Sequence, residues 1–151
     1  MMFNKTALLA TVPSDSHSWN LVFMEFLLND LGYKVENLGP NTPMDEVIDR
    51  LNRKGNAIVV VSTVNGHGYL EGAELAKRVR SETRHQGGLY IGGKICTEND
   101  SQTIARHSET LRTAGFDEVF DDSVANSFDT FQELVTAQLN STHFLEKRVA
   151  R

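Results

Sequence analysis

Apolar residues along this chain occur either in short continuous runs or at the three-and-four spacing of a helix. The short runs predict buried strands, because a strand covered on both faces has apolar side chains at nearly every position. The five predicted strands cover residues 6–12, 33–39, 56–62, 88–93 and 116–120. A stretch with helical spacing follows each strand. The predicted helices cover residues 18–32, 71–84, 101–115 and 127–139, and a further helix opens at 41–43.

This alternation of strand and helix predicts a parallel sheet with helices on both faces, since each parallel crossover needs a helix to cover it. With five strands, we expect an α/β three-layer sandwich with five helices and the flavodoxin-like strand order 2-1-3-4-5. In that order the switch point lies between the first and third strands. Ligands of such sheets bind there, beyond the carboxyl ends of the strands.

The last predicted helix should turn one apolar face towards the core. That face consists of Phe128, Phe131, Leu134 and Val135. We expect residues 1–140 to form a single domain, and residues 141–151 to be a C-terminal tail that frays.

The composition and charge of the chain exclude several classes of partner and location. A net charge of -5 and a pI near 5.5 argue against nucleic acid or an anionic membrane as partner, since both favour a basic surface. No apolar run is long enough to span a bilayer, and the N-terminal stretch is too short for a signal peptide. Cys96 is the only cysteine, which excludes an internal disulfide and fits a reducing cytoplasm.

The chemistry-bearing residues follow the first, third and fourth predicted strands. They are Asp15, His17, Ser62, Thr63, Val64, Gly92 and Gly93. A histidine can ligate a transition metal while its other ring nitrogen donates to a carboxylate, here Asp15. A bare zinc ion needs three or four protein ligands, and no CxxC or HExxH motif supplies them. One histidine therefore suits a metal that a macrocycle already surrounds.

The spacing of these residues is specific. From Asp15 the chain reads Asp-x-His-x-x-Asn, then 41 residues, then Ser-Thr-Val at 62–64, then 27 residues, then Gly-Gly. It resembles the Asp-x-His-x-x-Gly, Ser-x-Leu and Gly-Gly signature of the B12-binding domain family of cobalamin-dependent mutases and related methyltransferases. Within that family it is most similar to the small subunits of glutamate mutase. Asn20 and Val64 stand where the signature has glycine and leucine.

The resemblance implies a role for each residue of the first turn. His17 would ligate the cobalt of cobalamin from its lower face, and Asp15 would hydrogen-bond His17. The other residues implied in this part of the site are Ser14, Ser16, Ser18 and Asn20.

The resemblance also implies a deep slot for the nucleotide tail of the cofactor. Residues 62–64 would line it, and Gly92 and Gly93 would let the tail run close to the backbone. The loop that follows would lie against the nucleotide. Its residues are Lys94, Ile95, Cys96, Thr97 and Glu98.

By the same resemblance, the chain would be the adenosylcobalamin-binding subunit of a carbon-skeleton mutase that interconverts glutamate and 3-methylaspartate by a radical mechanism. We expect it to be inactive alone, because a TIM-barrel catalytic subunit of about 250 residues must come from a larger partner. One alternative is a corrinoid methyl carrier, which the few residues before the first strand disfavour. The other is a non-catalytic cobalamin-dependent sensor.

Each of these residues also has an ordinary structural explanation. His17 alone would be a solvated turn residue, Asp15 could cap a helix, and Ser62 could simply end a buried strand. Glycines are common at strand ends, and Cys96 could be structural. Four further histidines are expected to be solvated, namely His67, His85, His107 and His143.

Overall fold

A five-stranded parallel sheet organises the protein in the computed structural model, which describes residues 5–149 and the side chains up to residue 140. The strands are β1 (Thr6–Ala10), β2 (Lys34–Asn37), β3 (Ile58–Thr63), β4 (Gly88–Gly93) and β5 (Glu118–Asp121). The helices are α1 (Trp19–Leu31), α2 (Met44–Arg53), α3 (Gly68–Glu82), α4 (Ser101–Ala114) and α5 (Ser127–Val149). The order β2-β1-β3-β4-β5, with every pair parallel, confirms the predicted flavodoxin-like sandwich.

Helices cover both faces of the sheet, and β3 shows how the residues are divided between them. Val59 and Val61 belong to the core cluster formed with α2, α3 and α4. Ile58 and Val60 belong to the opposite cluster, formed with α1 and α5. Successive side chains of a strand point to opposite faces of the sheet. Two neighbouring residues at the end of one strand therefore contact different helical layers.

Most predicted boundaries agree with the structure to within a few residues, and the differences have local causes. β1 ends at Ala10 because the next amide, that of Thr11, donates to the hydroxyl of Thr42 at 3.0 Å rather than to a strand. α5 extends to Val149, past its predicted end at Leu139. The domain boundary at residue 140 and the fraying of the tail stay predictions, and the side chains of 141–151 lie outside the described residues.

The prediction that Phe128 points into the core is wrong. Phe131 and Val135 are buried as predicted, whereas Phe128 is 44% exposed. Its ring packs against that of Phe23 on α1, with 5.8 Å between the centroids. The first turn of α5 therefore meets α1 at the rim of the sheet rather than inside a core cluster.

No helix within residues 5–149 combines the length and the apolar character that a membrane span requires.

Candidate functional site

The turn after β1 is built around the buried carboxylate of Asp15. One of its oxygens, Oδ1, accepts from the backbone N–H of His17 at 3.0 Å and lies 2.6 Å from Nδ1 of the same histidine. The other, Oδ2, accepts from the Thr63 hydroxyl at 2.7 Å and from the Val64 N–H at 2.8 Å. Asp15 thus joins the turn after β1 to the end of β3, the two elements that flank the switch point.

These contacts also determine the charge of Asp15. Its burial raises the pKa, but the hydrogen bonds from the Val64 N–H, the Thr63 hydroxyl and His17 outweigh burial and lower the pKa to about 2. Asp15 is therefore ionised at neutral pH, and a carboxylate can only accept hydrogen bonds.

The position of Asp15 in turn determines how His17 presents its ring. Because the carboxylate accepts, Nδ1 of His17 carries the proton, and Nε2 of the neutral imidazole keeps its lone pair. The side chain of His17 is 59% exposed, whereas that of Asp15 is fully buried. The pair therefore presents an exposed imidazole nitrogen with a free lone pair, on a ring that a buried carboxylate holds in place.

The remaining turn residues lie at the surface, and Ser14 connects the turn to the β3–α3 loop and to the first turn of α3. Its backbone N–H donates to Oε1 of Glu71 at 3.0 Å, and its hydroxyl also contacts the Glu71 carboxylate. Asn65 donates to the same hydroxyl at 2.9 Å. Ser16 and Ser18 are exposed next to His17. Neither Glu71 nor Asn65 was expected from the sequence, because their role depends on the β3–α3 loop folding over the turn.

A cavity of about 330 Å³ opens beside this turn, between α1, α5 and the carboxyl ends of β3, β4 and β5. Five of the predicted site residues line it, namely Asn20, Ser62, Val64, Gly92 and Gly93. Its volume is within the range of about 300–1,000 Å³ typical of small-molecule sites. The predicted slot therefore has a physical counterpart, and we call this cavity the slot.

Most of the slot wall comes from residues that the sequence did not assign to the site. The aromatic and thioether side chains among them are Phe23, Met24, Tyr90, Phe120, Phe128 and Phe131. Helical or strand periodicity identifies these positions as apolar, but periodicity alone does not separate a cavity wall from a filled core. Their convergence depends on how α1 and α5 pack on the same face of the sheet.

Asn20 occupies the position where the signature has glycine, and its side chain connects α1 to β3 by hydrogen bonds. Its amide N–H₂ donates to the carbonyl oxygen and to the hydroxyl of Ser62, both at 3.0 Å. The carbonyl can only accept, so the amide nitrogen must face Ser62. Its oxygen, Oδ1, is buried and has no hydrogen-bond partner among the described residues. Asn20 is thus held as part of the slot wall.

The two glycines that end β4 are required by the sheet itself. A Cβ on Gly92 would lie 2.9 Å from the carbonyl oxygen of Phe120 on β5. Gly93 has a φ of +105°, and a Cβ there would collide with the carbonyl oxygen of Thr63 on β3. Close approach of neighbouring strands is therefore one reason for both glycines, besides their position on the slot.

Other predicted residues lie away from the slot. Thr63 turns its side chain to Asp15 because it alternates with Ser62 and Val64. Ile95 and Cys96 are buried in the opposite core cluster, with α3 and α4. The remaining loop residues do not line the slot either. Lys94 is half-buried, and Thr97 and Glu98 are exposed.

The further histidines whose side chains the structure describes differ in environment, and His143 lies outside the described side chains. His67 is exposed in its loop, as predicted. The prediction that His85 is solvated is wrong, because it is half-buried with Nε2 2.9 Å from the carbonyl oxygen of Gly88, and burial lowers its pKa. His107 is also partly buried, since it stacks on Tyr69 with 4.1 Å between the ring centroids.

Together, the fold and the site define a parallel α/β domain with a carboxylate-supported histidine in the turn after β1 and an apolar cavity beside that turn. No protein-family model matches the chain. Among curated proteins it is similar to the glutamate mutase sigma subunit of Escherichia coli O157:H7, with 26% identity over 98% of this chain and 97% of that protein. It is also 28% identical to glutamate mutase sigma subunit 2 of Haloarcula marismortui, over 77% of this chain and 76% of that protein. These matches confirm the predicted resemblance to glutamate mutase small subunits.

A solved structure supports the fold. A cobalamin-binding protein from Desulfitobacterium hafniense superposes with a TM-score of 0.67 at 19% identity, over 89% of this chain. This chain spans 59% of that longer protein.

Proposed function

We propose that this chain binds cobalamin, in its adenosyl form, as the cofactor-binding subunit of a mutase that interconverts glutamate and 3-methylaspartate. The observation that carries the proposal is the Asp15–His17 pair beside an apolar slot, in a chain similar to glutamate mutase sigma subunits over almost its whole length. His17 is the proposed cobalt ligand.

The donor set fits a metal held in a macrocycle. Within the described residues, one group of three side chains could converge on a metal ion, namely Cys96, Glu98 and His107. His17 is not part of that group. A bare zinc ion requires more ligands than the His17 turn offers. A corrin ring would already supply most of the ligands of cobalt, so the single nitrogen of His17 would be enough to hold the metal from the protein side.

Asp15 is the proposed positioning residue for His17. Its ionised carboxylate selects the tautomer with a free Nε2, aims the ring and raises its basicity as a ligand. Burial behind the turn keeps this carboxylate away from solvent, and the Thr63 and Val64 donors keep it from moving.

The slot is the proposed binding place of the nucleotide tail. Aromatic and aliphatic walls suit the flat faces of a heterocyclic base. The hydroxyl of Ser62, which Asn20 holds on the same wall, suits the more polar part of the tail. None of the loop residues 94–98 lines the slot, so we assign the slot contacts to Ser62, Val64, Gly92 and Gly93 instead.

When bound, cobalamin supplies the radical chemistry through its cobalt–carbon bond, and a larger TIM-barrel subunit is the proposed site of the substrate. An apolar stripe on α1, next to the His17 turn, supports such a partner. Its members, Trp19, Val22, Phe23 and Phe26, are all exposed. Exposed apolar patches of this kind mark protein interfaces.

Trp19 offers a direct test, because it is the only tryptophan, is 82% exposed and lies two positions after His17. The corrin ring absorbs tryptophan emission, so cobalamin should quench the fluorescence saturably. We expect His17→Ala to weaken the apparent Kd at least about tenfold, a change of ~1.4 kcal/mol. His67→Ala, which changes an exposed histidine of a neighbouring loop, is the matched control and should bind as wild type does.

Two results would overturn the proposal. One is the absence of saturable quenching in the wild-type protein. The other is an equal loss of affinity in His17→Ala and His67→Ala.

A further inference from the structure

A second group of metal-ligating side chains lies on the other side of the sheet from the slot. The ligand atoms of Cys96, Glu98 and His107 all lie within 4.8 Å of one another. Nε2 of His107 is 3.9 Å from Oε1 of Glu98. A thiol, an imidazole and a carboxylate therefore converge in a part of the molecule that the proposed cobalamin site does not use.

One short segment brings the three together. Cys96 is buried directly after β4, next to the fully buried Ile95. Glu98 follows in the loop, and α4 then carries His107 on the side of the helix that faces Cys96 and Glu98. The start of α4 is fixed by Asp100, whose carboxylate accepts from the Thr103 N–H at 3.0 Å. The register of α4, and hence the place of His107, is determined by this cap.

A neighbouring helix holds the imidazole in place. The ring of Tyr69, in the first turn of α3, stacks on that of His107 at an interplanar angle of 35°. The backbone N–H of Tyr69 donates to the carbonyl oxygen of Ile95 at 2.9 Å. The stacked ring is therefore tied to the same loop that presents Cys96, and the three ligands share one rigid support.

We propose that Cys96, Glu98 and His107 bind a transition-metal dication of the zinc type. Sulfur, nitrogen and carboxylate oxygen are the ligands that zinc takes in proteins, and three protein ligands leave a fourth position for water. Magnesium and calcium prefer oxygen alone, so a site with a thiolate and an imidazole excludes them. Bound metal would clamp the β4–α4 loop to α4.

Packing alone explains part of this cluster. The Cys96 thiol lies 3.8 Å from the backbone carbonyl oxygen of Glu98, the distance of a weak S–H hydrogen bond. That contact accounts for the buried thiol. It does not account for the carboxylate of Glu98 and the imidazole of His107 converging on the same sulfur.

Cobalt(II) is a suitable probe, because its thiolate complexes give a charge-transfer band in the near ultraviolet. Cys96 is the only cysteine in the chain, so such a band can arise only from this residue. We expect Co(II) added to the metal-free, cobalamin-free protein to produce the band at one equivalent, and Zn(II) to abolish it by competition. Cys96→Ser should remove it.

Glu98→Gln and His107→Gln provide the quantitative test. Each should weaken Co(II) binding at least about tenfold, as loss of a metal-site residue commonly does. Glu98 is exposed, so its variant tests the site without disturbing the core. His67→Gln is the matched control and should bind Co(II) as wild type does. His17→Ala should also keep full affinity, which separates this proposal from the cobalamin proposal.

The proposal would be wrong if no charge-transfer band developed up to millimolar Co(II). It would be equally wrong if Glu98→Gln and wild type bound Co(II) with the same affinity.

Discussion

At Asp15, a single buried carboxylate accepts hydrogen bonds from His17, Thr63 and Val64, and so connects two loops that are far apart in the sequence. An ionised group in such a place stabilises the fold only while it stays ionised. Stability and ligand presentation therefore depend on the same side chain, and the pH dependence of unfolding reports on both.

The pKa of Asp15 predicts how stability changes in acid. Because the folded-state pKa of about 2 lies below the ordinary value of 3.8, the carboxylate stabilises the fold above about pH 4 and this contribution is lost as the pH falls towards 2. The contribution is about 2 kcal/mol. Denaturant unfolding at several pH values should show this loss in wild type and not in Asp15→Asn. The exposed Asp30→Asn should behave as wild type does, and an unchanged acid dependence in Asp15→Asn would contradict the assignment.

Asn20→Gly restores the glycine of the signature and tests what the asparagine does. The change removes both hydrogen bonds to Ser62, so we expect the free energy of unfolding to fall by about 1–2 kcal/mol. Since Asn20 is held in the slot wall, cobalamin affinity should change by less than about threefold, under 1 kcal/mol. Equilibrium dialysis measures this, and a large gain in affinity would show instead that Asn20 obstructs the slot.

Among the elements, the ends of β3 and β4 determine which side chains point towards the slot. Alternation along β3 sends Ser62 and Val64 to the slot and Thr63 to Asp15. Past the end of β4 the strand alternation no longer applies, and both Ile95 and Cys96 are buried in the opposite core. Residues that are adjacent in a sequence motif can therefore lie on opposite faces of the sheet, because the strand is pleated.

Gly93→Ala tests the close contact between these two strands. Gly39 is the matched control, because it too has a positive φ, +83°, but a Cβ there meets nothing within 4 Å. Gly39→Ala should cost only the left-handed backbone, about 1–2 kcal/mol. Gly93→Ala adds the collision with Thr63 and should cost at least about 3–4 kcal/mol or abolish folding. Equal losses of unfolding free energy would show that strand contact does not require the glycine.

The elements and the contact between Asp15 and His17 were largely predictable from the sequence. Strand runs and helix periods are local signals, so β3 and α1 were found to within a few residues. The Asp15–His17 turn was found from its spacing to later motifs. The slot wall could not be predicted from the sequence. Phe23 and Phe131 lie on different helices, and only the packed structure shows that they face one cavity.

At the scale of the whole molecule, the slot depends on two helices and three strands drawn from most of the chain. A tail-binding slot should favour cobalamin over cobinamide, which lacks the nucleotide. Met24→Trp, which fills the slot, should weaken cobalamin binding at least about tenfold and cobinamide binding by less than about threefold. Phe26→Trp, on the exposed side of α1, should alter neither. Equal effects of Met24→Trp on both ligands, measured by dialysis with thermal unfolding as a check of the fold, would show that the tail binds elsewhere.

If His17 ligates cobalt, electron paramagnetic resonance of bound cob(II)alamin detects its nitrogen on the metal. The axial nitrogen splits the cobalt lines into triplets when it is nitrogen-14 and into doublets when it is nitrogen-15. In protein produced with nitrogen-15 histidine, we predict doublets in wild type and in His67→Ala, and their disappearance in His17→Ala. Triplets that persist in the labelled wild-type protein would show that the axial ligand is not a histidine of this chain.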